Sequence, residues 1–256
     1  MKNKSSVKNF LIRAGLASSE LEAEKLVLAR RVLLNGILVD FAGQEAKSSD
    51  QLSLVPNKKY FSRAGEKLDF ALRAFNLNVE NYVCADVGCS TGGFSGVLLD
   101  SGASKIYAID VARGEIAWKL RTDPRIVLME KTNARDLLTL PEPIDLVTID
   151  VSFISTDLIL PNVRSWIKPN ANVVVLVKPQ FEANRDCVPL GGVITNSEVH
   201  RMVLKQFAKN VRQIGFVFCA VQASPILGMQ GNKEFLALLA MDGVDLSEKE
   251  LDSMFE

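Results

Sequence analysis

The sequence predicts an α/β protein: a mostly parallel sheet of seven strands with an antiparallel last strand, covered by helices on both faces and preceded by a small α+β module. Three observations carry this. Apolar runs of four to seven residues recur through residues 82–241, and helical segments separate the earlier ones, the alternation that builds βαβ units. The first of these runs, Tyr82 to Ala85, ends in Asp86 and then in glycines 88, 92 and 93 before a helical pattern begins. The opening residues have a different grammar, with two short helical segments and a hairpin.

In the small module, Phe10 to Gly15 is expected as a short helix stopped by glycine. Ser19 with Glu22 forms a capping box for a second helix through about Arg30. Val32 to Val39 then places Asn35-Gly36 between two β-rich runs, a strong hairpin signal. The polar stretch from Lys47 to Lys59 leads out of the module and sets a boundary near Asn57. The domain expectation is therefore 1–57, 58–243, and an acidic C-terminal tail over 244–256.

Beyond that boundary, Leu68, Ala71, Leu72 and Phe75 recur at helical spacing ahead of the first strand. Ile106 to Ile109 is expected as a second strand ending at Asp110, and Ile126 to Met129 as a third. Ile144 to Ile149 follows as a fourth ending at Asp150, and Val173 to Val177 as a fifth ending at Lys178. Phe216 to Gln222 and Phe235 to Met241 complete the sheet. The loop from Ser224 to Lys233 between them carries no helix, so the last strand should run antiparallel.

In a Rossmann-like sheet, ligands bind beyond the carboxyl ends of the strands, where the strand order reverses. Asp86, Asp110, Asp150 and Lys178 are all expected there. The glycine loop Asp86-Val87-Gly88-Cys89-Ser90-Thr91-Gly92-Gly93-Phe94 has the pattern of an S-adenosylmethionine pocket, because glycines permit positive φ and close backbone approach. Asp110, 24 residues after Asp86, is placed to meet ribose hydroxyls or, alternatively, to cap the next segment. Asp86 is expected to orient the loop or meet the cofactor's amino group, with simple capping as the alternative.

An antiparallel last strand starts at the edge where the parallel strands finish, which brings Glu234 to Asp150 and Lys178. Lys67, at the start of the helix before the first strand, can reach in from the side. The bland alternative is a solvated ion-pair network. The chemical one is transfer of a sulfonium methyl group to a ribose hydroxyl, a weak acid that needs a positioned base and cationic neighbours. Lysine is such a base only after losing its proton, which a second cation and desolvation favour and nearby carboxylates oppose. Lys178 is assigned as base, Lys67 as electrostatic helper, and Asp150 with Glu234 as orienters. Asp150-Val151-Ser152-Phe153 lacks the consecutive prolines of exocyclic amine methylation, and Cys187-Val188-Pro189 lacks the pattern of pyrimidine carbon methylation. His200, the single histidine, sits in an apparent surface helix with no catalytic role.

Composition limits the other classes. In 256 residues, 48% hydrophobic, no run approaches the roughly 18 apolar residues of a membrane span, and Met1 to Ser5 has charge without an apolar core behind it. Four cysteines, at 84, 89, 187 and 219, show neither metal spacing nor a disulfide framework, which fits a reducing, cytoplasmic setting and no metal. Residues 1–59 hold ten Lys or Arg against six Asp or Glu, net +4, leaving 20 against 24, net −4, for the rest. A basic small module beside an acidic larger one suits nucleic acid, with Arg13, Lys25, Arg30 and Arg31 as candidate phosphate contacts.

Ser62-Arg63-Ala64-Gly65-Glu66-Lys67-Leu68, the Asp86 to Phe94 loop, Ala117 to Arg121, Thr132-Asn133-Ala134-Arg135, Asp150 to Ser155, Val177 to Glu182 and Gly231 to Phe235 together resemble the TlyA family, over nearly the whole chain. The resemblance implies an S4 RNA-binding domain joined to an FtsJ-like methyltransferase domain, and S-adenosylmethionine-dependent 2'-O-methylation of cytidines in ribosomal RNA or ribosomal subunits. Its Lys-Asp-Lys-Glu tetrad falls on Lys67, Asp150, Lys178 and Glu234. It implies cofactor contacts at Asp86, Gly88, Ser90, Thr91, Gly92, Gly93, Phe94, Asp110, Asn133 and Ala134, and adds Arg63 to the RNA contacts. Ala64 stands where the family has a second glycine, Ser18-Ser19 where Ser-Arg is common, Ala29-Arg30 where glycine ends the helix, and Asp40-Phe41 where Lys-Pro follows the hairpin. Fewer phosphate contacts imply weaker, less salt-dependent binding. The family's haemolysin label supplies a competing membrane-active expectation, against which stands the lack of a signal peptide, spanning helix or basic amphipathic face. A ribosome-assembly module that keeps the fold without turnover is a third.

Overall fold

The computed structural model describes residues 4–55 and 60–255, and the chain divides into two compact units, Met1–Lys59 and Tyr60–Glu256. The boundary expected near Asn57 lies outside the described residues.

In the first unit, β1 (Lys4–Ser6) pairs antiparallel with β4 (Glu45–Lys47), and β2 (Val32–Leu34) pairs with both β3 (Ile37–Leu38) and β5 (Leu52–Leu54). Helices α1 (Val7–Arg13) and α2 (Glu20–Leu28) pack against these strands around Val7, Leu11, Ala23, Val27 and Val32. Asn35 and Gly36 both take positive φ, 54° and 82°, as the two-residue hairpin turn between β2 and β3 requires. The polar stretch after Lys47 is not only an exit: β5 within it pairs with β2 and closes the sheet.

The capping box is altered. Ser19 Oγ accepts from the Glu22 amide at 3.2 Å, but the Glu22 carboxylate turns to the backbone N–H and hydroxyl of Ser18. Helix α2 ends at Leu28, with Arg30 at φ 54° and the Arg31 amide reaching back to the Leu26 carbonyl. Arg30 thus occupies the left-handed position that glycine fills at low cost.

The second unit begins with α3 (Arg63–Ala74) and proceeds through β6 (Val83–Val87), α4 (Gly93–Asp100), β7 (Lys105–Ile109), α5 (Trp118–Arg121), β8 (Ile126–Met129) and β9 (Ile144–Ile149). It continues with α6 (Leu160–Trp166), β10 (Ile167–Val177), α7 (Pro179–Glu182), α8 (Ser197–Ile214), β11 (Val217–Ala223), β12 (Phe235–Ala240) and α9 (Glu248–Asp252). The seven strands lie in the order β11-β12-β10-β9-β6-β7-β8. Every pairing from β10 to β8 is parallel, and β12 runs antiparallel to both its neighbours, as the sequence predicted.

Both faces of the sheet are buried, as parallel strands require. Val173, Val175 and Val177 of β10 face a core with Trp166, Leu204, Phe207 and Val211, whereas Val174 and Leu176 face one with Leu68, Ala71, Phe94 and Leu98. Two expectations change here. His200 is buried, 3% exposed, with Nε2 3.0 Å from the Ile194 carbonyl and its ring edge-on to Phe235, so α8 turns it inward. The acidic segment from Val244 is docked: the Leu246 amide bonds the Phe218 carbonyl, and a full capping box of Ser247 and Glu250 starts α9, which buries Leu251.

Candidate active site

The strand ends order the site. Gly88 follows β6 at φ 83° and, like Cys89, donates its amide to the Ile109 carbonyl at the end of β7. A Cβ at Gly88 would overlap the Asp150 carbonyl, so the loop and the end of β9 approach as closely as backbones allow. Gly92, at φ 90°, caps α4 without a side-chain hydrogen bond, and its face is filled by Leu120 and Ile116. Gly93 is helical and needs no positive φ. It is glycine because Ser62 Oγ, Ala64 Cβ and the Gly65 amide crowd it, which seats the start of α3 on the start of α4. Ala64, in place of a second glycine, lies inside the first turn of α3 and supplies part of that contact.

Asp86 is fully buried. Ser95 Oγ donates to its Oδ2 at 2.6 Å and Thr148 Oγ1 to its Oδ1 at 3.1 Å. Desolvation pushes its carboxyl up from 3.8 to about 6, against the pull of those two hydroxyls. With both oxygens engaged and no exposed surface, Asp86 braces the loop from behind and does not meet a ligand amino group. Phe94 is core, 2% exposed, and Ala134 is buried, so neither directs a free side chain into the cleft, whereas Asn133 is exposed and turns its Oδ1 onto the Arg135 amide.

Asp110 stands at the end of β7 and accepts from the Ser90 amide at 2.7 Å and the Ala112 amide at 2.8 Å. Ser90, at φ 43°, donates its hydroxyl to Glu115 Oε2 at 2.9 Å. Glu130 holds the same strap by accepting from the Gly114 amide and from Arg121, contacts that keep its carboxyl below the usual range. Together these residues enclose a cavity of about 10 Å³ bounded by Cys89, Ser90, Asp110, Glu115, Leu128 and Glu130. That volume holds one water at most.

The four charged candidates arrive as two ion pairs. Lys67 Nζ donates to Glu234 Oε2, both side chains being under a tenth exposed. Lys178 Nζ lies 2.7 Å from Asp150 Oδ1 and donates to Ser152 Oγ at 2.9 Å. The antiparallel register joins the pairs: Val177 of β10 faces Phe235 of β12, and Lys178 and Glu234 stand one residue beyond. Gly228 packs so closely on the Glu234 carboxylate that a side chain there would overlap it. Asn232, 2% exposed, ties this loop to the Gly192 carbonyl and the Ile194 amide.

Beside the Lys178 pair stands Phe153, 91% exposed at φ 64°, its ring 5.0 Å from that of Phe181. Left-handed backbone at a bulky residue costs about 1–3 kcal/mol and persists only where neighbours enforce it. Ser152, Phe153, Phe181 and Asn232 were not assigned roles from the sequence. The signal that marks them is their place within the motifs quoted above.

The candidate RNA contacts differ in freedom. Arg13, Lys25 and Arg30 are exposed, with Arg30 3.9 Å from Asp40, too loose a surface pair to hold it. Arg31 is committed to its own unit, with Nε and Nη2 both donating to the Val55 carbonyl at 3.3 Å. Arg63 belongs to the second unit, where Nη2 donates to the Leu227 carbonyl at 2.7 Å. Among the described residues no group of three or more His, Cys, Asp or Glu gathers to hold a metal ion, and no helix is long and apolar enough to cross a membrane.

A seven-stranded sheet with its last strand reversed between parallel neighbours, and an acid-and-glycine loop at the switch point, is the architecture of a Rossmann-like methyltransferase. The FtsJ-like methyltransferase family matches residues 60–241, and the chain belongs to it. The chain is 39% identical over 249 residues to the 16S/23S rRNA (cytidine-2'-O)-methyltransferase TlyA of Mycobacterium tuberculosis, covering 94% of this chain and 92% of that protein. It is also 39% identical over 226 residues to Hemolysin A of Brachyspira hyodysenteriae, covering 87% and 94%. A solved structure of a hemolysin-labelled protein from Streptococcus thermophilus superposes with a TM-score of 0.71 at 37% identity, covering 100% of this chain and 96% of that one.

Proposed function

We propose that this protein is a cytoplasmic, S-adenosylmethionine-dependent 2'-O-methyltransferase of ribosomal RNA, with cytidine as its target nucleotide. The observation that supports it most directly is the pairing of Lys67 with Glu234 and of Lys178 with Asp150 at the carboxyl edge of the sheet, beside the glycine loop. The TlyA relative named above carries the same activity in its name.

The donor set suits the cofactor. Asp110 presents a carboxylate at the end of β7 for ribose hydroxyls, the exposed Thr91 carries a hydroxyl beside the glycine loop, and Gly92-Gly93 leave the start of α4 without a side-chain cap. When bound, the sulfonium cofactor supplies a methyl carbon with a neutral thioether as leaving group. The chain's residues do the rest. Lys178 Nζ, oriented by Asp150 and Ser152, first gives its ammonium proton to solvent and then, as the neutral amine, takes the proton of the 2'-hydroxyl as its oxygen forms the new bond to carbon. Lys67, held by Glu234, places a second positive charge where that oxygen gains negative character. Fixing both reactants in one cleft supplies much of the remaining rate.

Arg13, Lys25 and Arg30 of the first unit and the exposed donors of Arg63 serve as phosphate contacts in this reading. Arg31 acts on the fold of its own unit.

The test is single-turnover methyl transfer to ribosomal subunits by Lys178→Ala, together with cofactor binding by calorimetry. The expected result is transfer lowered by at least about 10³-fold, the scale of a lost general base, with cofactor affinity within a few-fold of the native protein. Near-native transfer removes Lys178 from the base role.

A further inference from the structure

Glu182 lies four residues beyond Lys178, at the end of α7, and its carboxylate crosses to the loop that leaves β9. Oε2 accepts from Ser155 Oγ at 2.7 Å, and Oε1 accepts from both the Thr156 amide at 3.0 Å and Thr156 Oγ1 at 2.9 Å. Thr156 is buried at 2% exposure, so this is a fixed anchor inside the fold. Upstream, the same loop carries Ser152, whose Oγ receives Lys178 Nζ, and Phe153, whose backbone is left-handed at φ 64°. Phe181, adjacent to Glu182, packs its ring 5.0 Å from that of Phe153 and lies 5.9 Å from Lys178 Nζ.

The strained Phe153 therefore sits between two restraints. At one end the loop is held to the strand by Asp150, whose amide donates to the Val87 carbonyl at 2.9 Å. At the other it is held by three hydrogen bonds to one ionised group, the stronger kind. Without the second restraint the residue at positive φ relaxes toward ordinary backbone, and a rotation there carries the Ser152 hydroxyl off the lysine.

We infer that Glu182 is a positioning residue for the transfer site, holding the 152–156 loop so that Ser152 keeps Lys178 Nζ aimed into the cleft. The inference rests on the reading of Lys178 as the group that takes the hydroxyl proton. Both oxygens of Glu182 are engaged by Ser155 and Thr156. Its effect passes through Ser152, and nothing in its contacts reaches the glycine loop or Asp110.

The experiment compares the full-length Glu182→Ala, Glu182→Gln, Ser152→Ala and Ser152→Ala/Glu182→Ala variants with Lys178→Ala. Single-turnover transfer to ribosomal subunits, cofactor affinity and thermal unfolding are measured for each. Glu182→Ala is expected to slow transfer by about 10- to 100-fold, the cost of a displaced reacting group, with cofactor affinity unchanged. Glu182→Gln, whose carbonyl still accepts from Thr156 and whose amide can donate to the Ser155 hydroxyl, should recover to within several-fold of native. The double variant should be no slower than the slower single one. If Glu182→Ala unfolds, Ser155→Ala, which removes one hydrogen bond of three, carries the test through a several-fold slower rate. Native rates in Glu182→Ala, or in Ser155→Ala, with Lys178→Ala inactive overturn the inference alone. Effects of Ser152→Ala and Glu182→Ala that multiply overturn the route through Ser152, and an active Lys178→Ala removes the reading underneath.

Discussion

Lys67 and Glu234, 167 residues apart, meet as an ion pair in which both partners are almost wholly removed from solvent. Taking a single partner away leaves a charge stranded at full desolvation cost, whereas removing both does not. Glu234→Ala is expected to destabilise the second unit by about 3–5 kcal/mol. Lys67→Met/Glu234→Leu should recover most of that loss while methyl transfer stays absent. Denaturant midpoints of the single and double variants check this, and a single variant as stable as the native protein contradicts it.

Asp86 gives a pH dependence with a defined sign. Its carboxyl titrates near 6 in the fold against 3.8 in the open chain, so burial favours the protonated form. The stability it contributes is complete below pH 3.8 and lost as pH rises through 6. Asp86→Asn keeps a neutral, hydrogen-bonding side chain between Ser95 and Thr148. Relative to native, the variant should gain up to about 3 kcal/mol between pH 4 and pH 7.5. Urea unfolding of both proteins at the two pH values measures the difference, and parallel curves refute it.

Gly88 and Gly114 have nearly the same φ, 83° and 81°, in different surroundings. A Cβ at Gly114 meets nothing within 4 Å, whereas one at Gly88 overlaps the Asp150 carbonyl. Gly114→Ala is expected to cost about 1 kcal/mol of backbone strain. Gly88→Ala should cost at least twice that and impair transfer by displacing Asp150 from Lys178. Melting temperatures and single-turnover rates of the pair decide it.

Arg30 and Arg31 are neighbours in different surroundings, the first exposed and the second bonded to the Val55 carbonyl. Arg30→Ala is expected to weaken binding to ribosomal RNA severalfold and to lower the slope of log affinity against log salt by about one, the signature of one phosphate contact. Arg31→Ala should leave that slope nearly unchanged and lower the stability of the first unit by about 1 kcal/mol, through its bonds to Val55. Salt titrations of the two variants separate the roles, and equal slopes for both contradict the division.

The sheet was legible because its strands are short apolar runs punctuated by acids and glycines. Ile144–Ile149 is the predicted strand residue for residue, and Asn35-Gly36 turns where its backbone preference dictates. Contacts that depend on rotamers were not legible. Glu22 fits a capping box by spacing, yet Ser18 competes for its carboxylate. His200 lies among polar neighbours in sequence, and only the packing of α8 shows which way it faces. Gly93 suggests conformational freedom, but what makes it glycine is Ser62, 31 residues earlier. At the candidate site, the strand ends placed Asp150 and Lys178 together, while the partner of Lys67 and the crossing of Glu182 to Thr156 follow from side-chain reach that no local pattern encodes.

β12 lies between β10 and β11 and runs against both, so the edge beside Lys178 is closed by a strand from late in the chain. Glu234, the residue before that strand, is the last of the four charged candidates in sequence. A chain cut short ahead of it would keep its glycine loop and leave the Lys67 ammonium without its carboxylate.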